Sequence, residues 1–78
     1  MTYLMNKGEE FVYFWQHGML GDFMAALAEA ICRADMGNRA RLALGFPEEV
    51  EAMNKFHYVE SWWPELQAKM KPAQEGLK

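Results

Sequence analysis

An all-α fold, a compact orthogonal bundle of four to five short helices, is what this sequence predicts, and three observations carry the prediction. Apolar residues return every three or four positions through most of the chain. Residues with capping or breaking preferences, among them Asn6, Gly18, Asp22, Asp35, Gly45 and Pro47, divide those stretches at helix-length intervals. The one run rich in strand formers, Phe11-Val12-Tyr13-Phe14-Trp15, has no second candidate strand to pair with.

The elements follow in order. Asn6 with Glu9 three residues later has the form of an N-cap with an acidic first turn, and Phe11, Phe14 and Trp15 recur at helical spacing as far as Gly18, so a first helix is expected over about 7–17. Asp22 is expected to cap a second helix with Phe23, Leu27, Ala30, Ile31 and Ala34 along one face. Asp35 is placed to cap a short third helix carrying Ala40, Ala43 and Leu44 and ending at Gly45; the alternative is one long helix bent near Gly37. Pro47 at a first helical position, followed by Glu48 and Glu49, opens a fourth helix with Val50, Met53 and Phe56 facing inward. Around Trp62-Trp63-Pro64 the chain should leave the helix, because a residue before proline avoids the α region, and a last helix should run to about Met70. Every gap is a few residues long and no repeat is present, so residues 1–71 read as one helical domain, with 72–78 expected to fray.

Composition narrows the function. A chain of 78 residues buries only about 60–65% of the surface its unfolded form exposes, so help from a partner fits its size. A hydrophobic fraction of 51% with only three prolines argues for a folded globule. The formal charge of −3 argues against a surface built to neutralise phosphate. One cysteine, Cys32, can form neither an internal disulfide nor a cysteine-rich zinc site, which points to a reducing compartment. The N-terminal residues lack a basic run followed by a long apolar stretch, and Phe11–Trp15 is about a quarter of a bilayer span. Cytoplasmic residence without a membrane segment is the expectation.

Most charges have a helical purpose. Glu29 and Arg33, Asp35 and Arg39, Glu51 and Lys55, and Glu65 and Lys69 are acid-first pairs four residues apart, each contributing about 0.2–0.5 kcal/mol on an exposed face. Arg33, Arg39 and Arg41 form the only basic cluster. Two of the three have an acid partner, and Arg39 and Arg41 point in different directions on one helix, so a solvated face is favoured over nucleic-acid contact. A helix-turn-helix over 22–44 would need a longer and more polar recognition helix.

Chemical constellations are thin. Cys32 sits mid-helix beside an apolar stripe with no His near it in sequence, the setting of a packed thiol rather than a nucleophile. Ser61 is the only serine. His57 and Glu60 lie three apart in the reverse of the Glu-x-x-His order that bundles use for metals, and no second such element exists; His17 suits the carbonyl end of the first helix. No glycine-rich phosphate loop is present. No catalytic residue, metal or cofactor is therefore expected.

The surplus is aromatic and thioether: three Trp, three Tyr, five Phe and seven Met, more than five short helices can direct into one core. Trp62 and Trp63 are adjacent and cannot both point fully inward. In one reading Trp63 packs on the core and Trp62 stacks on a neighbouring helix. In the other, Trp15, Met19, Tyr58, Trp62 and Trp63 form a sticky edge for a second copy or another protein.

The stretch Gly21-Asp22-Phe23 with Ala25, Leu27, Ala30 and Ile31, then Arg33-Ala34-Asp35, Asn38, Arg41-Leu42 and Gly45-Phe46-Pro47-Glu48, resembles a pattern in small uncharacterised proteins of phages and prophages. It covers about residues 22–50, and Phe11 to Gly18 resembles the aromatic opening helix of such proteins. The resemblance implies a short accessory protein acting through protein contacts, with host machinery among its partners, and implies no functional residues. The expected function is a non-enzymatic, self-associating protein-interaction module; the alternative is a small regulator touching nucleic acid through Arg33, Arg39 and Arg41.

Overall fold

The structure, a computed structural model, describes residues 3–70; the expected fraying of 72–78 lies outside them. Five helices follow in order: α1 Lys7–Gln16, α2 Asp22–Arg33, α3 Met36–Gly45, α4 Pro47–Tyr58 and α5 Trp62–Lys69, with no strand among the described residues. The fold is all-α, as the sequence predicts.

Local chemistry sets the boundaries. Asn6 and Glu9 close a full capping box: Asn6 Oδ1 accepts from the Glu9 N–H at 2.8 Å, and Glu9 Oε1 accepts from the Asn6 N–H at 3.0 Å. Past α1, Gly18 takes φ +67°, the left-handed conformation that glycine adopts without steric cost. The N-cap of α2 is Gly21, not the expected Asp22; Asp22 lies inside the first turn, where its charge acts on the helix dipole. Two extended residues, Ala34 and Asp35, separate α2 from α3, so there is no long helix bent near Gly37. Asp35 caps α3 as expected, accepting from Asn38 N–H at 2.8 Å. Pro47 occupies the first turn of α4 ahead of Glu48 and Glu49.

The end of the chain departs from expectation. The break falls at 59–61, and Trp62 and Trp63 are already helical, with the first α5 hydrogen bond running from Glu65 N–H to Ser61 C=O. Pro64 is harmless there because N–H groups in a first turn have no intrahelical acceptor. Both indoles pack against the core from this position, which outweighs the steric preference of a residue before proline.

Helix α4 touches all four other helices and organises the molecule. Around it Phe11, Val12, Leu27, Ala28, Ile31, Val50, Ala52 and Met53 form the core, and Leu66 of α5 is buried as well. Burial of Ile31, Met53, Leu66 and Val12, the largest fully enclosed side chains, contributes about 1.5–3 kcal/mol each. The inner stripe of α2 is Leu27, Ala28 and Ile31, rotated from the expected one: Ala30 is exposed, and Phe23, 66% exposed, leans on Phe46 at 6.2 Å between ring centroids. The closest helix approach is at Gly8. A Cβ there would press on the Glu48 carbonyl oxygen and lie 2.9 Å from Ala52 Cβ, so only glycine lets α1 lie this close to α4.

Candidate functional site

Helix α3 is the least buried element, with no buried residue of its own. It packs against the core through half-buried Leu42 and Ala43, and its outer side is left open. There Met36, Arg39, Ala40 and Ala43 of α3 join Val50, Asn54 and Tyr58 of α4 around a groove of about 560 Å³, open on one side. Its walls are mostly apolar. Met36 is 88% exposed, Tyr58 76%, and Leu44 at the end of α3 87%.

Arg39 is the polar centre of this region. Its Nε donates to the Ile31 carbonyl at 3.1 Å, Nη1 to Asn54 Oδ1 at 2.6 Å, and Nη2 to His57 Nδ1 at 3.2 Å, while the guanidinium carbon lies 5.8 Å from the centroid of the Tyr58 ring. The side chain thus ties the C-terminal turn of α2 to α3 and α4. Its expected partner, the Asp35 carboxylate, is committed to the cap of α3.

The orientation of His57 follows. A guanidinium only donates, so Nδ1 must accept and the neutral ring carries its proton on Nε2. That nitrogen lies 3.9 Å from Cys32 Sγ, a pairing of residues 25 apart in sequence. Burial, then the Arg39 charge, holds the imidazole below its usual range, so it stays neutral near pH 7. Burial also raises the Cys32 thiol above its ordinary value, only partly opposed by Arg39, with Glu29 adding to the rise. A Cys–His nucleophile needs an Nε2 lone pair facing a thiol that ionises readily. Here Nε2 presents a proton to a thiol held protonated. A metal between Sγ and Nε2 would force the ring proton onto Nδ1, against the Arg39 donors. Among the described residues no group of three or more His, Cys, Asp or Glu side chains is placed to hold a metal.

The five aromatic and thioether residues singled out in the sequence do not share one surface. Trp15 and Trp63 meet Phe56 edge-to-face at 5.6 and 5.7 Å between centroids and pack with it on the core, and Trp63 continues to half-buried Tyr13, tilted, at 5.9 Å. Trp62 is half-buried too, beside Asn6, Glu9 and Ala52. Met19 is exposed in the turn after α1, and Tyr58 belongs to the α3–α4 groove. Of the arginines, Arg33 and Arg41 line a shallow groove between α2 and α3, Arg33 pairing with Glu29 at 3.8 Å, while Arg39 turns into the helix junction. Glu51 and Lys55 pair at 3.5 Å as expected; Lys69 instead sits over the Tyr3 ring at 4.9 Å.

The groove was not anticipated, although Met36, Ala40 and Ala43 recur at helical spacing; periodicity shows that a stripe exists and not whether the chain itself covers it. No helix among the described residues is long and apolar enough to cross a membrane. No family model, curated protein or solved structure matches the chain.

Proposed function

We propose that this chain is a non-enzymatic protein-interaction module whose docking surface is the groove between α3 and α4. The observation that carries the reading is the open apolar face of α3, bounded by Met36 and Tyr58 over the small side chains of Ala40 and Ala43. An isolated exposed methionine is ordinary on any protein. Here exposed Met36 and Tyr58 line one concavity, and covering a Met side chain is worth about 1.5–3 kcal/mol. Met and Tyr are also enriched where proteins meet. The protonated thiol of Cys32 and the donor-facing tautomer of His57 support the non-enzymatic half of the reading. An accessory role of the phage or prophage kind, in the cytoplasm, belongs to the same proposal.

Photo-crosslinking in cells tests it. A crosslinking amino acid at Met36 should give discrete adducts that disappear when Ala43→Trp fills the groove, whereas the same group at Glu60 should not. An adduct at twice the chain mass would identify a second copy as the occupant. Equal labelling from both positions, or adducts indifferent to Ala43→Trp, would refute the groove as a docking surface.

A further inference from the structure

Resting on that reading, we propose that the groove takes an amphipathic helical segment of another protein, and that this segment places a carboxylate against Arg39. The argument begins with the donors of the guanidinium. It has five N–H groups, and the three partners it finds within the chain, the Ile31 carbonyl, the Asn54 amide oxygen and His57 Nδ1, are all neutral. The C-terminal end of α2 supplies roughly half a unit of negative charge and no more. Among the described residues the ion pairs are Arg33 with Glu29 and Lys55 with Glu51, and none involves Arg39. A half-buried cation that lines an apolar-walled groove therefore retains donors and net charge beside the space a partner would fill. A carboxylate placed there is screened less than one on an open surface.

The shape specifies the rest. Met36, Ala40 and Ala43 span about two helical turns, roughly 10 Å. Alanines in the middle of the stripe let a second helix approach to about 8–10 Å between axes. The complementary segment is thus helical, with apolar residues three or four apart and an Asp or Glu one turn away on the same face. A second copy is disfavoured by charge. The sequence of α3, MGNRARLALG, has no acidic side chain, so a two-fold pairing of this face would oppose cation to cation.

The test uses a displayed library of helical peptides about four turns long, randomised on one face among Leu, Met, Ala, Glu and Gln, selected against the full chain. Selected peptides should carry Glu rather than Gln between apolar anchors, and replacing that Glu by Gln should weaken binding about tenfold. Arg39→Gln in the protein should abolish the distinction. Because Arg39 also ties helices together, a second pair of variants leaves it intact: Ala43→Glu, one turn from Arg39, should lose far more affinity than Ala43→Gln, which has the same bulk without the charge. Peptides that bind, are blocked by Ala43→Trp and do not distinguish Glu from Gln would overturn the carboxylate inference alone. Absence of any peptide that Ala43→Trp blocks would overturn both the inference and the docking surface. A dimer in light scattering that Ala43→Trp dissolves, or displacement of the peptides by octanoate at equal concentration, would assign the groove to a second copy or to a small acid and overturn the inference as well.

Discussion

Gly8→Ala is a sharp test of how the molecule is assembled, because a single methyl group is placed where α1 and α4 are closest. The new Cβ would lie 2.9 Å from Ala52 Cβ, against a usual carbon–carbon contact of about 3.5–4.0 Å, and would press on the backbone oxygen of Glu48, which no rotamer change can move aside. Relief requires α1 to retreat by roughly 0.6–1 Å, loosening Phe11 and Val12 against Val50, Ala52 and Met53. Overpacking of this kind costs about 1–3 kcal/mol, offset by up to about 1 kcal/mol from the better helix propensity of alanine. The net loss of about 1–2 kcal/mol is large beside the roughly 4–12 kcal/mol expected for a chain of this length. Thermal melting followed by circular dichroism should show Tm lower by about 5–15 °C. Gly37→Ala supplies the opposite sign: its Cβ would meet only Asp35 Oδ1 at an unstrained 3.7 Å, so the substitution should stabilise by about 0.4–1 kcal/mol. A Gly8→Ala variant that melts at or above the wild-type temperature would refute the close crossing.

Three further outcomes are expected. The hydrogen bond from Tyr3 to Glu9, at 2.8 Å, raises the phenol above its ordinary 10.0, so spectrophotometric titration should show a tyrosine ionising late and Tyr3→Phe should remove it; the linked stabilisation is present below pH 10.0 and lost as pH rises through the raised value. The imidazole of His57 is held below its ordinary 6.5, so the unfolded chain takes up that proton first, and the stabilisation present above pH 6.5 is lost as pH falls through the lowered value. The urea midpoint of His57→Asn, which keeps an acceptor for Arg39 but cannot be protonated, should therefore fall less between about pH 7.5 and 5.5 than that of the wild type. Alkylation of Cys32 by iodoacetamide near pH 7.5 should be slow and should not slow further in His57→Ala; a rate drop of about tenfold or more would mean that the imidazole activates the thiol after all.

What the sequence made legible is local. The Asn6–Glu9 capping box, the Asp35 cap and the Pro47 start each involve residues three or fewer apart, and short-range steric and hydrogen-bonding preferences decide them without help from the rest of the chain. The misplaced elements depend on packing. Spacing on α2 fits either Ala30 or Ala28 on the inner face, and only the approach of α1 and α4 selects Ala28. Trp62 and Trp63 enter the helix despite Pro64 because the core receives both. The site was harder still. Asp35 stands at the ideal spacing to pair with Arg39, yet a carboxylate at an N-cap is already engaged with a backbone N–H, and that competition directs Arg39 to partners 8, 15 and 18 residues away.

Two charged side chains show how the fold treats burial. Glu9, only 9% exposed, is fully partnered from within: Tyr3 and the Asn6 N–H donate to it, and the N-terminal end of α1 adds a favourable dipole. No buried side-chain nitrogen or oxygen among the described residues lacks a partner. A fold this strict about enclosed polar groups leaves Arg39 with neutral partners only, and the difference lies in position. Glu9 is enclosed beside the α1–α4 contact, and the Tyr3 hydroxyl and the Asn6 N–H already occupy its carboxylate. Arg39 stands at the wall of an open groove, where water screens part of its charge and a binding partner can replace that water. Its three internal bonds fix the guanidinium before a partner arrives, so little side-chain entropy remains to be lost on binding. An arginine tethered in this way, beside apolar residues left uncovered, has the two properties that make a recognition residue selective: a fixed direction and a charge still in need of a partner.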